Sequence, residues 1–242
     1  MVLKTEQVRY EADGLSMRGY LAWDDGGDQT RPGILVFPEA FGLGDHAKGR
    51  AERLATEFGY IALACDLHGN GTVIESLDEV RPLLAPLRAS VDKVRDRVLK
   101  PLAALVERPE VDSSSIAAIG FCFGGTMAYE LALAGADIKA AIGFHSGLEV
   151  TSPQDSGQIK GKIMALIGAD DPGITSEQRG AFEAMLRTGG VDWQMHLFGG
   201  VVHSFTNPEA DLREMPEYLR YDPVADGRSW KQMAMLLDEV FQ

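Results

Sequence analysis

The residues Gly120-Phe121-Cys122-Phe123-Gly124-Gly125 put a thiol inside a run of small residues. Glycines two positions before and two after Cys122 allow a sharp turn from a strand into a helix, and that turn lifts the central side chain above the carboxyl edge of a sheet. A helix starting directly afterwards aims its N-terminal dipole at the sulfur, which favours thiolate. It also leaves the Phe123 amide free to face a developing oxyanion. A nucleophile on such a turn requires an acid and then a histidine, each just past a later strand. Both follow in that order: Gly168-Ala169-Asp170-Asp171-Pro172 after the apolar run Ile163 to Ile167, and His203-Ser204-Phe205 after Trp193 to Leu197. His203 is expected to take the proton from the thiol or from water. Asp171, which abuts Pro172 and lies one step farther past its strand than Asp170, is expected to fix the imidazole tautomer.

A second oxyanion donor is expected from the loop after the run Gly33 to Phe37, in Pro38-Glu39-Ala40-Phe41-Gly42, where the Ala40 amide has the required place. Glu39 stands beside it. A carboxylate near the thiol disfavours thiolate by like-charge repulsion, so Glu39 would keep the cysteine protonated and protected from oxidation. His145, in Phe144-His145-Ser146-Gly147, either lines the site or is a hydrogen-bonded structural histidine. No metal site is expected, because His46 and His68 have only sequence neighbours Asp45 and Asp66, and neither H-x-x-x-H nor H-E-x-x-H occurs. Gly42-x-Gly44 and Gly69-x-Gly71 lack the further residues of a phosphate-binding loop, and no cofactor is expected.

The elements that would carry these residues follow from pattern. Gln7 to Glu11 and Met17 to Trp23 alternate around Ala12-Asp13-Gly14 and predict a starting hairpin. Continuous apolar runs at Gly33 to Phe37, Tyr60 to Ala64, Ile116 to Ile119, Ala140 to Phe144 and Ile163 to Ile167 predict strands buried on both faces. Between and after them, helical spacing is seen near His46 to Phe58, Ser90 to Glu107, Glu177 to Arg187 and Gly227 to Phe241. The alternation implies an α/β fold: a doubly wound, mostly parallel sheet with helices on both faces, forming one domain over residues 1–242. The segment between His68 and Arg88 is long enough to serve as a cap loop.

Composition narrows the ligand. With 242 residues, 45% of them apolar, and a net charge of −13, the surface repels nucleic acid and anionic membranes and turns attention to small molecules. Two cysteines, Cys65 and Cys122, are too few for a disulfide scaffold, and the N-terminus has no apolar leader pattern, so a reducing cytoplasmic setting is expected. The apolar stretch from Ile116 to Gly135 carries Glu130 and four glycines and does not read as a membrane span. Oligomeric state is not legible.

Pro38-Glu39-Ala40-Phe41-Gly42-Leu43, Asp66-Leu67-His68-Gly69, the Cys122 turn, the Asp171 turn, His203-Ser204-Phe205 and Arg228-Ser229-Trp230 together resemble the dienelactone hydrolase family of α/β-hydrolases, over nearly the whole chain. The resemblance implies a carboxylic ester or lactone hydrolase with a Cys122, Asp171, His203 triad and oxyanion donors at the amides of Ala40 and Phe123. It also implies that Glu39 swings away from the thiol when substrate binds. Members acting on dienelactone have an arginine four residues beyond the histidine; here that position is Asn207, expected to suit a neutral ester better than a carboxylate. Arg81 or Arg88, from the cap, could supply a cationic substrate contact instead. The alternative from another class is a non-catalytic small-molecule binder or thiol sensor, in which Cys65 would resolve an oxidised Cys122.

Overall fold

In a computed structural model describing residues 2–26 and 29–242, strands β1 (Leu3–Ala12) and β2 (Leu15–Asp24) form an antiparallel hairpin. Asp13 and Gly14 at its tip both have positive φ, as a two-residue turn matching strand twist demands. The chain continues through β3 (Arg31–Phe37), α1 (Asp45–Phe58), β4 (Ile61–Ala64), α2 (Leu77–Arg88), α3 (Val91–Val106) and β5 (Val111–Phe121). It ends with α4 (Phe123–Leu133), β6 (Ala140–Phe144), β7 (Lys162–Gly168), α5 (Ser176–Thr188), β8 (Trp193–Phe198) and α6 (Pro223–Val240). All eight strands join one sheet in the order β1-β2-β4-β3-β5-β6-β7-β8. Pairing is parallel from β4 to β8 and antiparallel at β1/β2 and β2/β4.

The period of two in the strands decides which helix covers which face. Leu35, Leu63, Ala118 and Ala165 turn toward α2, α3, α4 and α5, while Ile34, Val36, Ala62, Ile119 and Met164 turn toward α1 and α6. Both faces are therefore covered, and the α/β-hydrolase fold is the observed one. In α3 the expected stripe is buried at Val94, Val98 and Leu105.

Two local differences have physical causes. The segment 68–88 is a loop only in its first part; Leu77–Arg88 is helix, begun by the Ser76 hydroxyl accepting from the Glu79 amide and buried through Val80, Leu84 and Leu87. Pro82 and Pro86 lie inside it and lower its helical propensity, hiding a stripe that packing stabilises. Helix α6 starts at Pro223 rather than near Gly227, because the Asp222 side chain accepts from the amides of Val224 and Ala225 and proline suits the first helical position. The carboxyl ends of β3, β5, β6, β7 and β8 share one sheet edge, where the loops bearing Glu39, Cys122, His145, Asp171 and His203 emerge.

Candidate active site

Cys122 sits between the end of β5 and the start of α4 with φ 53° and ψ −121°, a conformation costly for a residue bearing a side chain. Three glycines allow it. A Cβ at Gly120 would strike the Gly124 carbonyl, one at Gly124 would strike the carbonyls of Phe37 and Pro38, and one at Gly125 would strike Ser146. The second of these close approaches sets the β3 loop directly against the turn. The Cys122 amide donates to Phe144 O at 3.0 Å and lies 3.2 Å from His145 Nδ1, which ties the turn to β6.

Asp171 and His203 meet across the sheet edge. His203 Nδ1 donates to Asp171 Oδ2 at 2.6 Å, and both residues are buried. Asp171 Oδ1 accepts from the Gly173 amide at 2.8 Å, so the carboxylate is held at both oxygens. Asp170 is exposed. The His203 ring stacks on Tyr218 at 5.6 Å. Burial opposes charge on this imidazole, but the neighbouring Cys122 sulfur and the hydrogen bond to Asp171 hold His203 well above its ordinary value. The Asp171–His203 pair and the Cys122 thiol are thus brought to one cavity, which Cys122 and His203 both line.

Ala40 and Phe123 line, with Cys122 and His203, a cavity of about 420 Å³. Phe123 is the first residue of α4, so its N–H has no carbonyl to serve within the helix. The Ala40 carbonyl accepts from His68 Nε2 at 2.8 Å, fixing that peptide's orientation. Thr126, Gln178 and Tyr218 add polar groups to the wall.

Other expected residues lie elsewhere. Glu39 is turned from the cavity: Oε1 accepts from Ser204 at 3.0 Å and Oε2 from Asn207 Nδ2 at 2.5 Å, beside a separate cleft of about 60 Å³ shared with His46 and Arg213. Asn207 is therefore a partner of Glu39, and its Oδ1 accepts from the Glu209 amide; it does not line the thiol cavity. From that place Asn207 does not favour a neutral ester over a carboxylate. His145 is sealed behind the turn, its Nε2 donating to Thr206 Oγ1 at 2.8 Å. Burial first, then the positive charges around it, depress its pKa well below the usual value. Arg81 is exposed and away from the cavity, whereas Arg88 lines it with its guanidinium 5.5 Å from the Phe123 ring. Tyr218, the His145–Thr206 bond and the Ser204–Glu39 bond leave no signal in the sequence, because they join segments without periodic pattern.

Cys65 is wholly buried, and its strand is separated from that of Cys122 by β3. Two strand spacings are roughly 9–10 Å, beyond the ~7 Å between Cα atoms that a disulfide spans. A sensor built on a Cys65–Cys122 bridge is incompatible with this sheet. Among the described residues no cluster of three or more metal-ligating side chains occurs, and no helix is long and apolar enough to cross a membrane.

The family model for the dienelactone hydrolase family matches residues 17–241. The chain belongs to the dienelactone hydrolase family. A solved structure named m3DLH is 43% identical with a TM-score of 0.96, each chain covering all of the other. The crystal structure of a dienelactone hydrolase-like promiscuous phosphotriesterase from metagenomic libraries is 41% identical, again over the full length of both chains, with a TM-score of 0.92. A protein of Methylorubrum extorquens provisionally named a carboxymethylenebutenolidase is 28% identical over 84% of this chain and 70% of its own length. As a member of the dienelactone hydrolase family, the chain is a hydrolase.

Proposed function

We propose that this dienelactone hydrolase family member cleaves carboxylic esters or lactones through a thioester on Cys122. The Cys122 proton passes to His203, the sulfur attacks the carbonyl carbon, and the resulting oxyanion is received by the amides of Ala40 and Phe123. The C–O bond to the leaving alcohol then breaks as His203 returns the proton to it. Water, deprotonated by the same imidazole, attacks the thioester and releases the acid and the free thiol. Asp171 holds the ring in the tautomer that keeps Nε2 toward the sulfur and stabilises the imidazolium. What supports this reading most is the 2.6 Å contact of His203 with Asp171 at a cavity that Cys122, Ala40 and Phe123 also line.

Glu39, bound to Ser204 and Asn207, is a reserve for the thiol's proton only after it changes rotamer, and the observed orientation is the one that leaves the sulfur unopposed. Arg88 is the cation at the cavity wall and gives an anionic substituent a partner. The test is turnover of short aryl esters, lactones and aryl phosphotriesters, the last because of the relative's name. Cys122→Ala is expected to abolish ester turnover, and His203→Ala to lower it about 10²–10⁴-fold. Mass spectrometry of a quenched reaction is expected to find an acyl adduct on the peptide carrying residue 122. Cys122→Ala turning over esters at the parent rate would sink the reading.

A further inference from the structure

An apolar groove of about 460 Å³ adjoins the thiol cavity and shares Leu148, Glu149, Val150 and Gln178 with it. Its floor is Ala181, Phe182 and Met185 of α5, with Pro153 closing the far side. The shared wall is preformed. At one end Thr126 Oγ1 donates to the Gly147 carbonyl at 2.9 Å, and at the other the Thr151 amide donates to the buried Glu130 carboxylate. Phe182 is fixed from behind by Tyr129, with ring centroids 4.9 Å apart. Glu149 and Glu177 stand at the groove's rim. They disfavour an anionic occupant, while Arg88 attracts one at the cavity proper. The two compartments thus differ in chemistry although they are continuous.

We propose that this groove binds the uncharged hydrophobic arm of the substrate, so that the chain prefers esters with a medium-length aliphatic or aryl arm over acetyl or methyl esters. The proposal rests on the reading of Cys122 as the ester-cleaving thiol. It concerns a volume that neither Cys122 nor His203 touches. An arm reaching the groove leaves water without perturbing the carbonyl, so its burial strengthens binding of ground state and transition state alike.

Two series of esters test it, one lengthening the acyl group on a fixed aryl alcohol, the other lengthening the alcohol on a fixed acetyl group. In the series whose arm enters the groove, kcat/KM is expected to rise about fourfold per methylene until the space is filled. Ala181→Trp, at an exposed helix position, fills the groove and is expected to bring the long-to-short ratio of that same series toward one. Flat profiles in both series, or an unchanged ratio in Ala181→Trp, would overturn the groove. Calorimetry on Cys122→Ala separates this from the fate of the hydrolase reading. Binding that strengthens with chain length there, and loses that dependence when Ala181→Trp is added, supports the groove even if no ester turns over. In that case the hydrolase reading alone fails. Equal binding of short and long esters overturns the groove whatever the turnover.

Discussion

At the scale of single residues, His203 gives the sharpest pH expectation. Burial lowers its pKa, and the neighbouring Cys122 sulfur together with the Asp171 hydrogen bond outweighs burial and raises it. Its folded value lies above the unfolded one, so its contribution to stability is complete below about pH 6.5 and is lost as pH rises through the elevated value. Asp171→Asn removes one raising cause, and the imidazole is expected to titrate at lower pH in NMR spectra while the fold persists. A titration unchanged by that substitution would mean the 2.6 Å contact does not govern the ring. His145 is expected to act by position. Thr206→Val keeps the shape and removes the hydroxyl that holds His145 Nε2. If the His145 ring steadies the thiol turn, this variant lowers kcat with little change in KM, and a double-mutant cycle with His145→Asn shows coupling.

Elements determine how precisely these residues meet. The loop after β8 is tied to α1 and α6 by Arg50, whose guanidinium donates to the Thr206 carbonyl at 2.6 Å and to Asp226 at 2.9 Å in a buried setting. Asp226→Ala strands that buried cation and is expected to cost about 3–5 kcal/mol in urea denaturation, because an unpaired charge is left behind. At the Cys122 turn, Gly124→Ala forces a methyl against the carbonyls of Phe37 and Pro38. It is expected to push the Ala40 amide away from the Phe123 amide and to lower ester kcat more than it lowers binding. That turn was legible in the sequence because glycine spacing and the strand–helix junction are local signals. The same holds for Asp171 and His203, each placed just past the end of a strand, the first a continuous apolar run. The surroundings of Glu39 were not legible. Its partners Ser204 and Asn207 lie 165 and 168 residues farther along the chain, and no pattern announces a bond between two loops. Helix α2 was hidden for a different reason, since its prolines speak against helix locally while its buried face is stabilised by α3.

For the whole molecule, the excess of 36 acidic over 23 basic residues gives a field that disfavours anionic encounter. Salt screens such a field over roughly 8–10 Å near physiological ionic strength. With anionic esters, kcat/KM is therefore expected to climb as salt is added, while neutral esters of the same leaving group show a flat response; a fall for the anionic esters would mean that local attraction by Arg88 outweighs the global charge. The sheet has a second molecule-wide consequence. Only two sulfhydryls exist in the chain, one at the cavity and one sealed between layers, and burial raises the pKa of the sealed one. A maleimide dye added in excess is expected to attach one equivalent per native chain and two after denaturation, so an absorbance ratio counts working copies in any preparation, and position 122 offers a natural handle for tethering the protein to a surface in a single orientation.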